Sequence, residues 1–305
     1  MRRFLSTLKI EKTKTPKELP SLDSLVFGQK FSDHMFVMNF DKKWINPRII
    51  PYQPLELDPS CSVFHYATEC FEGMKAYKDK NGKIRLFRPD MNMKRFSTSA
   101  ERLALPKIPE KELLNYISEL CKVDSNFIPN QKGYSLYIRP TLIGTSPSLG
   151  VSSSALATLF VICSPVGPYF KEGFKAISLY ATNQYARAWR GGAGSFKIGA
   201  NYSPTIKPQL LAQQKGHSQI LWLVDNELSE AGTMNIWIHR KRNGKQELIT
   251  PPLDGTILPG VTRDSILKLA KSKNIVVKET KISIQELIED QDNVFPIYID
   301  FRNVW

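Results

Sequence analysis

The sequence predicts a mixed α/β protein built as two domains, and three observations carry that expectation. The chain has 305 residues, more than one hydrophobic core ordinarily fills. Strand-type and helix-type apolar patterns alternate along its length. Between them lies a break, Ser164-Pro-Val-Gly-Pro-Tyr-Phe-Lys-Glu-Gly173, with two prolines and two glycines in ten residues, the composition of a connection.

The elements follow in order. Residues 1–24, polar and carrying Pro16 and Pro20, read as an arm. Met35–Phe40 and Gly82–Phe87 carry strand signals. Two amphipathic helices are expected over Asn92–Leu103 and Pro109–Val123, the second with Leu113, Leu114, Ile117 and Leu120 on one face. Tyr134–Arg139 alternates like a half-buried strand, and Ala155–Cys163 is a nearly continuous apolar run, typical of a strand covered on both faces. Past the break, strands are expected at Ala176–Ala181, Gln219–Val224, Met234–His239 and Glu247–Thr250, with helices at Ser203–Lys215 and Thr262–Lys273. Asn243-Gly244 is a hairpin turn signal, since both residues tolerate positive φ.

Composition narrows the function. Apolar residues make up 42% and charged residues 23%, the usage of a folded globular chain rather than a disordered one. The formal charge is +13, but the lysines are scattered and interrupted by Glu11 and Glu279. With no basic run, aromatic platform or finger spacing beside them, nucleic acid is not expected as a partner. Cys61, Cys70, Cys121 and Cys163 show neither C-x-x-C nor ligand spacing, so no metal and no disulfide framework is expected. No apolar run approaches the ~20 residues of a membrane span. The opening MRRFLSTL has two arginines, yet the lysine-rich stretch after it, with Glu11 and Glu18, breaks a transit pattern. A cytoplasmic protein is expected, with mitochondrial as the alternative.

The chemistry centres on GGAGSFKIGANYSP, residues 191–204. Lys197 stands among small residues with no carboxylate within six positions on either side. Gly191, Gly192, Gly194 and Gly199 permit close backbone approach and unusual dihedrals, and burial there would favour the neutral amine, a nucleophile toward an aldehyde. An aldehyde cofactor such as pyridoxal phosphate also needs a carboxylate at its ring nitrogen, a donor to its phenolic oxygen and a phosphate pocket. Glu230, in Ser229-Glu-Ala-Gly-Thr-Met-Asn235, is the carboxylate of choice, and Tyr202 the donor. Leu258-Pro-Gly-Val-Thr-Arg263 opens a helix, so Val261 and Thr262 can meet an anion with backbone N–H groups. Arg95, on the 92–103 helix, can add a bidentate contact.

The stretches GSFKIGANY, SEAGTMN, LPGVTR, YATECFEGMKAY, LFRPDMNMKRF and SLYIRPTLIGTSPSLGV together resemble the branched-chain aminotransferases of the fold type IV pyridoxal phosphate enzymes, the animal ones in particular. The resemblance is collinear over about residues 23–289. It implies a small α/β domain at 25–164, a linker at 165–174 and a large domain at 175–305, with the cofactor at the domain interface and a homodimer as the working unit. By the same resemblance Lys197 matches the lysine that bonds the cofactor, Tyr202 the phenolic-oxygen donor and Glu230 the ring-nitrogen carboxylate. Arg95, Val261 and Thr262 match the phosphate ligands. Phe27, Tyr66, Phe71 and Tyr137 would line an apolar substrate pocket with Arg139 and Thr233 nearby, and Leu149 and Val151 would reach the neighbouring subunit's site.

The implied reaction moves the amino group of leucine, isoleucine or valine to 2-oxoglutarate in a ping-pong cycle. The other readings are a pyridoxal phosphate binder without turnover, a D-amino acid transaminase and an aminodeoxychorismate lyase. After Ile288 the motif match stops: the family's Gly-Thr/Ser-Gly-Thr-Ala turn and its C-x-x-C pair have no counterpart in Glu289–Trp305. The apolar residues of that tail, Val294, Phe295 and Ile297 among them, suit either a substitute strand or an exposed patch.

Overall fold

The computed structural model describes residues 7–168, 176–242, 245–290 and 294–297. These fall into two compact units, residues up to 168 together with Lys197–Gly199, and residues 176–196 together with those from Ala200 onward.

The first unit contains β1 (Lys9–Ile10), β2 (His34–Asp41), β3 (Lys43–Pro51), α1 (Ser62–Tyr66), β4 (Glu69–Phe71), β5 (Met74–Lys78), β6 (Ile84–Leu86), α2 (Pro89–Arg102), α3 (Glu110–Val123), β7 (Ser135–Gly144) and β8 (Leu156–Val166). Eight strands form one sheet in the order β1-β3-β2-β8-β7-β5-β6, with β4 also on β7. Long antiparallel ladders, β2 on β8 and β8 on β7, make its centre. The expected arm therefore contributes an edge strand, β1 running parallel to β3. The break expected from residue 165 begins inside β8, since Pro165 and Val166 pair with Leu136 and Ser135.

Local chemistry sets these elements. α2 begins at Pro89, whose fixed φ suits a first helical turn. α3 buries Leu113, Ile117, Leu120 and Cys121, the i, i+4, i+7, i+8 stripe of a helix lying on a sheet. β3 lies outside the expected strands, because Asn46-Pro47 interrupts it. The ladder accommodates both in a bulge of β3, opposite the step from Val37 to Asn39 of β2, where Asn46 adopts φ 53°, as asparagine can.

The second unit contains β9 (Leu179–Thr182), α4 (Ile206–Gln214), β10 (Gln219–Val224), β11 (Glu227–Ala231), β12 (Met234–Asn235), β13 (Trp237–Arg242), β14 (Lys245–Thr250), α5 (Val261–Ser272), β15 (Val276–Glu279), α6 (Ile284–Glu289) and β16 (Val294–Ile297). Two four-stranded sheets result, β12-β11-β10-β9 and β15-β14-β13-β16. The single strand expected over Met234–His239 is divided between them. Likewise Ser203–Thr205 of the expected helix is a 3₁₀ turn. β10 alternates: Ile220 and Trp222 pack with Ala212 of α4, while Leu221 and Leu223 join Leu228, Ile236, Ile238 and Ile249. The β10–β11 turn places Asp225 and Asn226 at φ 53° and 63°, the type I′ signature. The expected Asn243-Gly244 turn lies outside the described residues, though Arg242 and Lys245 pair across it. Of the two readings of the tail, the strand holds for Val294–Ile297, which pairs antiparallel with β13.

Candidate active site

Lys197 is held in the first unit by its backbone on both sides. Its carbonyl accepts from Phe71 N at 3.0 Å, its N–H donates to Ser99 Oγ of α2 at 2.8 Å, and Ile198 bridges Cys70. Ser99 and Cys70 are wholly buried, so this short segment is pinned against the sheet. The Lys197 amine lies 4.7 Å from the Phe71 ring centroid.

Pairing puts a strip of predicted residues on one face. Phe71 stands opposite Thr141, and side chains two apart on β7 share a face, which aligns Phe71 with Arg139 and Tyr137. The Arg139 guanidinium sits 4.6 Å from the Phe71 ring and 5.2 Å from that of Tyr137, and donates to the Tyr137 hydroxyl from Nε and Nη2 at 3.2 and 2.9 Å. Phe27 meets Tyr137 edge-on at 4.9 Å. Gly73 makes room for this ring: a Cβ there would lie 2.3 Å from the Tyr137 hydroxyl. Tyr66 donates its hydroxyl to the carbonyl of Leu149, while the side chains of Leu149 and Val151 are exposed.

The carboxylate-free surroundings expected of Lys197 are overturned by residues distant in sequence. Glu72 is completely buried. Burial pushes its carboxyl up, but Arg95, then Lys197 and Asn92, more than offset that and hold it below the ordinary glutamate value. Arg95 grips it in a fork, Nε to Oε1 at 2.6 Å and Nη2 to Oε2 at 2.9 Å, and Asn92 adds a bond at 2.8 Å. The bidentate geometry expected of Arg95 toward a phosphate is thus used on Glu72. Glu69 covers the other side of the lysine segment, where a Cβ on Gly199 would fall 1.8 Å from its Oε1. Burial raises the Glu69 carboxyl, and Arg139 counters part of that.

In the second unit the sequence places Glu230 in β11, opposite Asn235 of β12. It is 3% exposed. Its Oε1 accepts from Asn235 Nδ2 at 2.9 Å and from Leu258 N at 3.0 Å, and its Oε2 pairs with Arg187 at 2.8 Å. Asn235 also donates to the Leu258 carbonyl at 2.8 Å, and a Cβ on Gly260 would lie 2.1 Å from Asn235 Oδ1. Glu230 and the start of α5, where Val261 and Thr262 stand, are therefore tied into one hydrogen-bonded block. Tyr202 is half-buried and Thr233 exposed in the turn after β11. Asn201 clamps the loop before Lys197, donating to the carbonyls of Ala193 and Phe196 at 2.6 and 2.8 Å.

These residues fit pyridoxal phosphate. A carboxylate offers about four lone-pair sites, and the partners of Glu230 among the described residues use two on Oε1 and one on Oε2, which leaves Oε2 able to accept a ring N–H. α5 starts at Val261 with Gly260 as its N-cap and no side-chain cap, and a helix N-terminus of this kind suits an anion. Sequence reasoning missed Glu72, Glu69, Arg187 and Asn235. Glu69, Glu72 and Asn235 lay inside the motifs, but nothing local there marks them as buried partners.

A protein-family model described as amino-transferase class IV matches residues 69–295, past the point where the motif resemblance stops. The chain belongs to that family. It is 54% identical over 295 residues to the branched-chain-amino-acid aminotransferase of Dictyostelium discoideum, covering 92% of this chain and 78% of that one. With the cytosolic branched-chain-amino-acid aminotransferase of Saccharomyces cerevisiae it shares 51% identity over 298 residues, covering 94% and 79%. The fold is that of solved branched-chain aminotransferases. The enzyme from Thermoproteus uzoniensis with norvaline superposes with TM-score 0.69 at 22% identity, covering 89% of each chain. The branched-chain amino acid aminotransferase from Escherichia coli gives 0.66 at 23%, covering 87% of this chain and 84% of that one. Another solved branched-chain amino acid aminotransferase, with pyridoxamine 5'-phosphate, gives 0.71 at 23%, covering 90% of this chain and 88% of that one.

Proposed function

We propose that this chain is a pyridoxal phosphate-dependent transaminase that takes the amino group of leucine, isoleucine or valine and delivers it to 2-oxoglutarate. Support comes from the relatives at about half identity and from a lysine whose backbone is locked on both sides while its amine faces an aromatic strip.

Pyridoxal phosphate, when bound, supplies an aldehyde that accepts the amino group and a ring that withdraws the electron pair left at Cα. Lys197 would hold it through the amine and, once displaced by a substrate amino group, move the proton at Cα. Glu230 would accept the ring N–H, and Tyr202 would donate to the phenolic oxygen. Val261 and Thr262 would hold the phosphate, with Arg95, whose Nε and Nη2 are engaged by Glu72, adding positive charge rather than a bidentate contact. Phe71 and Tyr137, with the more exposed Phe27 and Tyr66, would give a branched aliphatic side chain an apolar wall. Arg139, with the Tyr137 hydroxyl and Thr233, offers the polar contact that the second carboxylate of glutamate demands.

The chain is proposed to work as a homodimer, for which the exposed apolar side chains of Leu149 and Val151 are the support. Its four cysteines are free and buried, which suits a reducing compartment, and no helix among the described residues is long and apolar enough to cross a membrane. Matching relatives carry both cytosolic and mitochondrial names. The cytoplasm is our assignment, with the mitochondrion as the alternative.

The test is direct. Purified protein is mixed with pyridoxal phosphate, the visible absorption of the lysine adduct is recorded, and leucine with 2-oxoglutarate is added. Glutamate formation supports the reading. An adduct without glutamate reduces the chain to a binder. Lys197→Ala should abolish the absorption, and its persistence would refute the assignment of Lys197.

A further inference from the structure

Arg187 belongs to none of the sequence motifs singled out, yet it sits where the second unit's functional segments converge. It is 8% exposed. Its Nη2 meets Glu230 Oε2 at 2.8 Å, the carbonyl of Thr256 at 2.7 Å and that of Gly194 at 3.3 Å. Its Nε is buried with no hydrogen-bond partner among the described residues. The junction is closely packed, for a Cβ on Gly194 would fall 2.4 Å from Ala188 Cβ and 2.9 Å from the carbonyl oxygens of Gly255 and Thr256.

Such a guanidinium is costly unless its acceptors are used together. Gly194 lies three residues before Lys197, Thr256 leads into Gly260 and α5, and Glu230 is the buried carboxylate itself. One cation therefore ties three pieces of the proposed site. Asn235 and the Leu258 N–H are neutral donors to Glu230, so its ion pair among the described residues is with Arg187.

We propose that Arg187 is a positioning residue for the reaction: it aims the Glu230 side chain and holds it in register with the loop before Lys197 and the lead-in to α5. The inference rests on the assignment of Glu230 to the cofactor's ring nitrogen. One proton lies between that nitrogen and the carboxylate. The Arg187 cation paired with Glu230 Oε2 favours that proton resting on the nitrogen. No net transfer occurs, and the ring stays an electron sink.

The experiment compares the native chain with Arg187→Met, Arg187→Lys and Arg187→Met/Glu230→Gln, first without cofactor. Arg187→Met should melt lower than the native chain and than Arg187→Lys. The double variant should recover most of the lost melting temperature, because it removes the orphaned charge. With cofactor and substrates, kcat of Arg187→Met should fall on the order of 10²-fold with KM for leucine little changed, and Arg187→Lys should regain part of it. A double variant that melts as low as Arg187→Met overturns the proposal, as does an Arg187→Met chain with native kcat. Should Arg187→Met fail to fold, recovery of a folded chain by the added Glu230→Gln supports the proposal and continued failure overturns it. Absence of a cofactor adduct in the native chain would refute the functional reading instead, leaving the cofactor-free comparison intact.

Discussion

Replacing Glu72 with glutamine tests the electrostatic centre of the first unit. The side chain is wholly buried and takes four donors: Arg95 Nε at 2.6 Å on Oε1, and Arg95 Nη2, Asn92 Nδ2 and Gly73 N at 2.9, 2.8 and 3.0 Å on Oε2. A glutamine must turn one acceptor into a donor. With its amide nitrogen in place of Oε2 it confronts three donors, so the better orientation puts that nitrogen against Arg95 Nε. Even then Arg95 loses its counter-charge, and breaking a buried pair in this way costs about 3–5 kcal/mol, a large part of the ~5–15 kcal/mol that holds a domain together. Because the Arg95 side chain is 12% exposed, the lower end is expected. Urea unfolding of native and Glu72→Gln chains at pH 7 measures the difference.

The pH dependence has a fixed sign. Glu72 is held below its unfolded value, so its contribution is present in full above about pH 4.3 and is lost as pH falls through the folded value. The gap between native and variant should therefore narrow on acidification. A Glu72→Gln chain within about 0.5 kcal/mol of native at pH 7, the range of surface substitutions, or a gap that widens below pH 4, refutes the reasoning.

Two further perturbations probe packing. Gly73→Ala drives a methyl group to 2.3 Å from the Tyr137 hydroxyl, and that ring is braced by Phe27 and Arg139, so about 1–3 kcal/mol of overpacking is expected. KM for leucine should rise while cofactor absorption persists; an unchanged KM would show that Tyr137 does not shape the substrate wall. His34→Leu removes the ring whose Nδ1 donates to buried Asp124 at 2.6 Å and whose Nε2 accepts from Thr13 N at 2.9 Å. Leaving Asp124 short of a donor should cost about 1–3 kcal/mol and make the chain around Thr13 more open to limited proteolysis. Native-like stability and cleavage would count against both contacts.

What the sequence made legible was local. The period of α3 gave its buried face, and the run Gln219–Val224 is β10 to the residue. Lys197 and Glu230 stood out as charged residues among small and apolar ones, where solvation is poor. β3 stayed hidden because Asn46-Pro47 looks like a terminator, and only a bulge in β3 at those two residues lets the ladder pass them. Met234–His239 has the pattern of one strand, yet its halves belong to different sheets. No local pattern records which sheet a residue's neighbours occupy.

The buried charges were illegible for a different reason. Arg95 and Glu72 are 23 residues apart, and nothing in either stretch separates a charge paired in the interior from one solvated at the surface. The glycines show the same limit from the other side. Around Lys197 they promise unusual dihedrals or close approach, and sequence cannot choose. In the structure Gly191 takes φ +78° with open space about it, whereas Gly194 and Gly199 serve close approach, their added Cβ atoms meeting Ala188 Cβ at 2.4 Å and Glu69 Oε1 at 1.8 Å. Gly260 does likewise against Asn235. The glycines that shape the site are thus those at which another segment's side chain, usually a polar one, presses on the backbone. Their sequence signal is inseparable from that of a turn until the partner is placed.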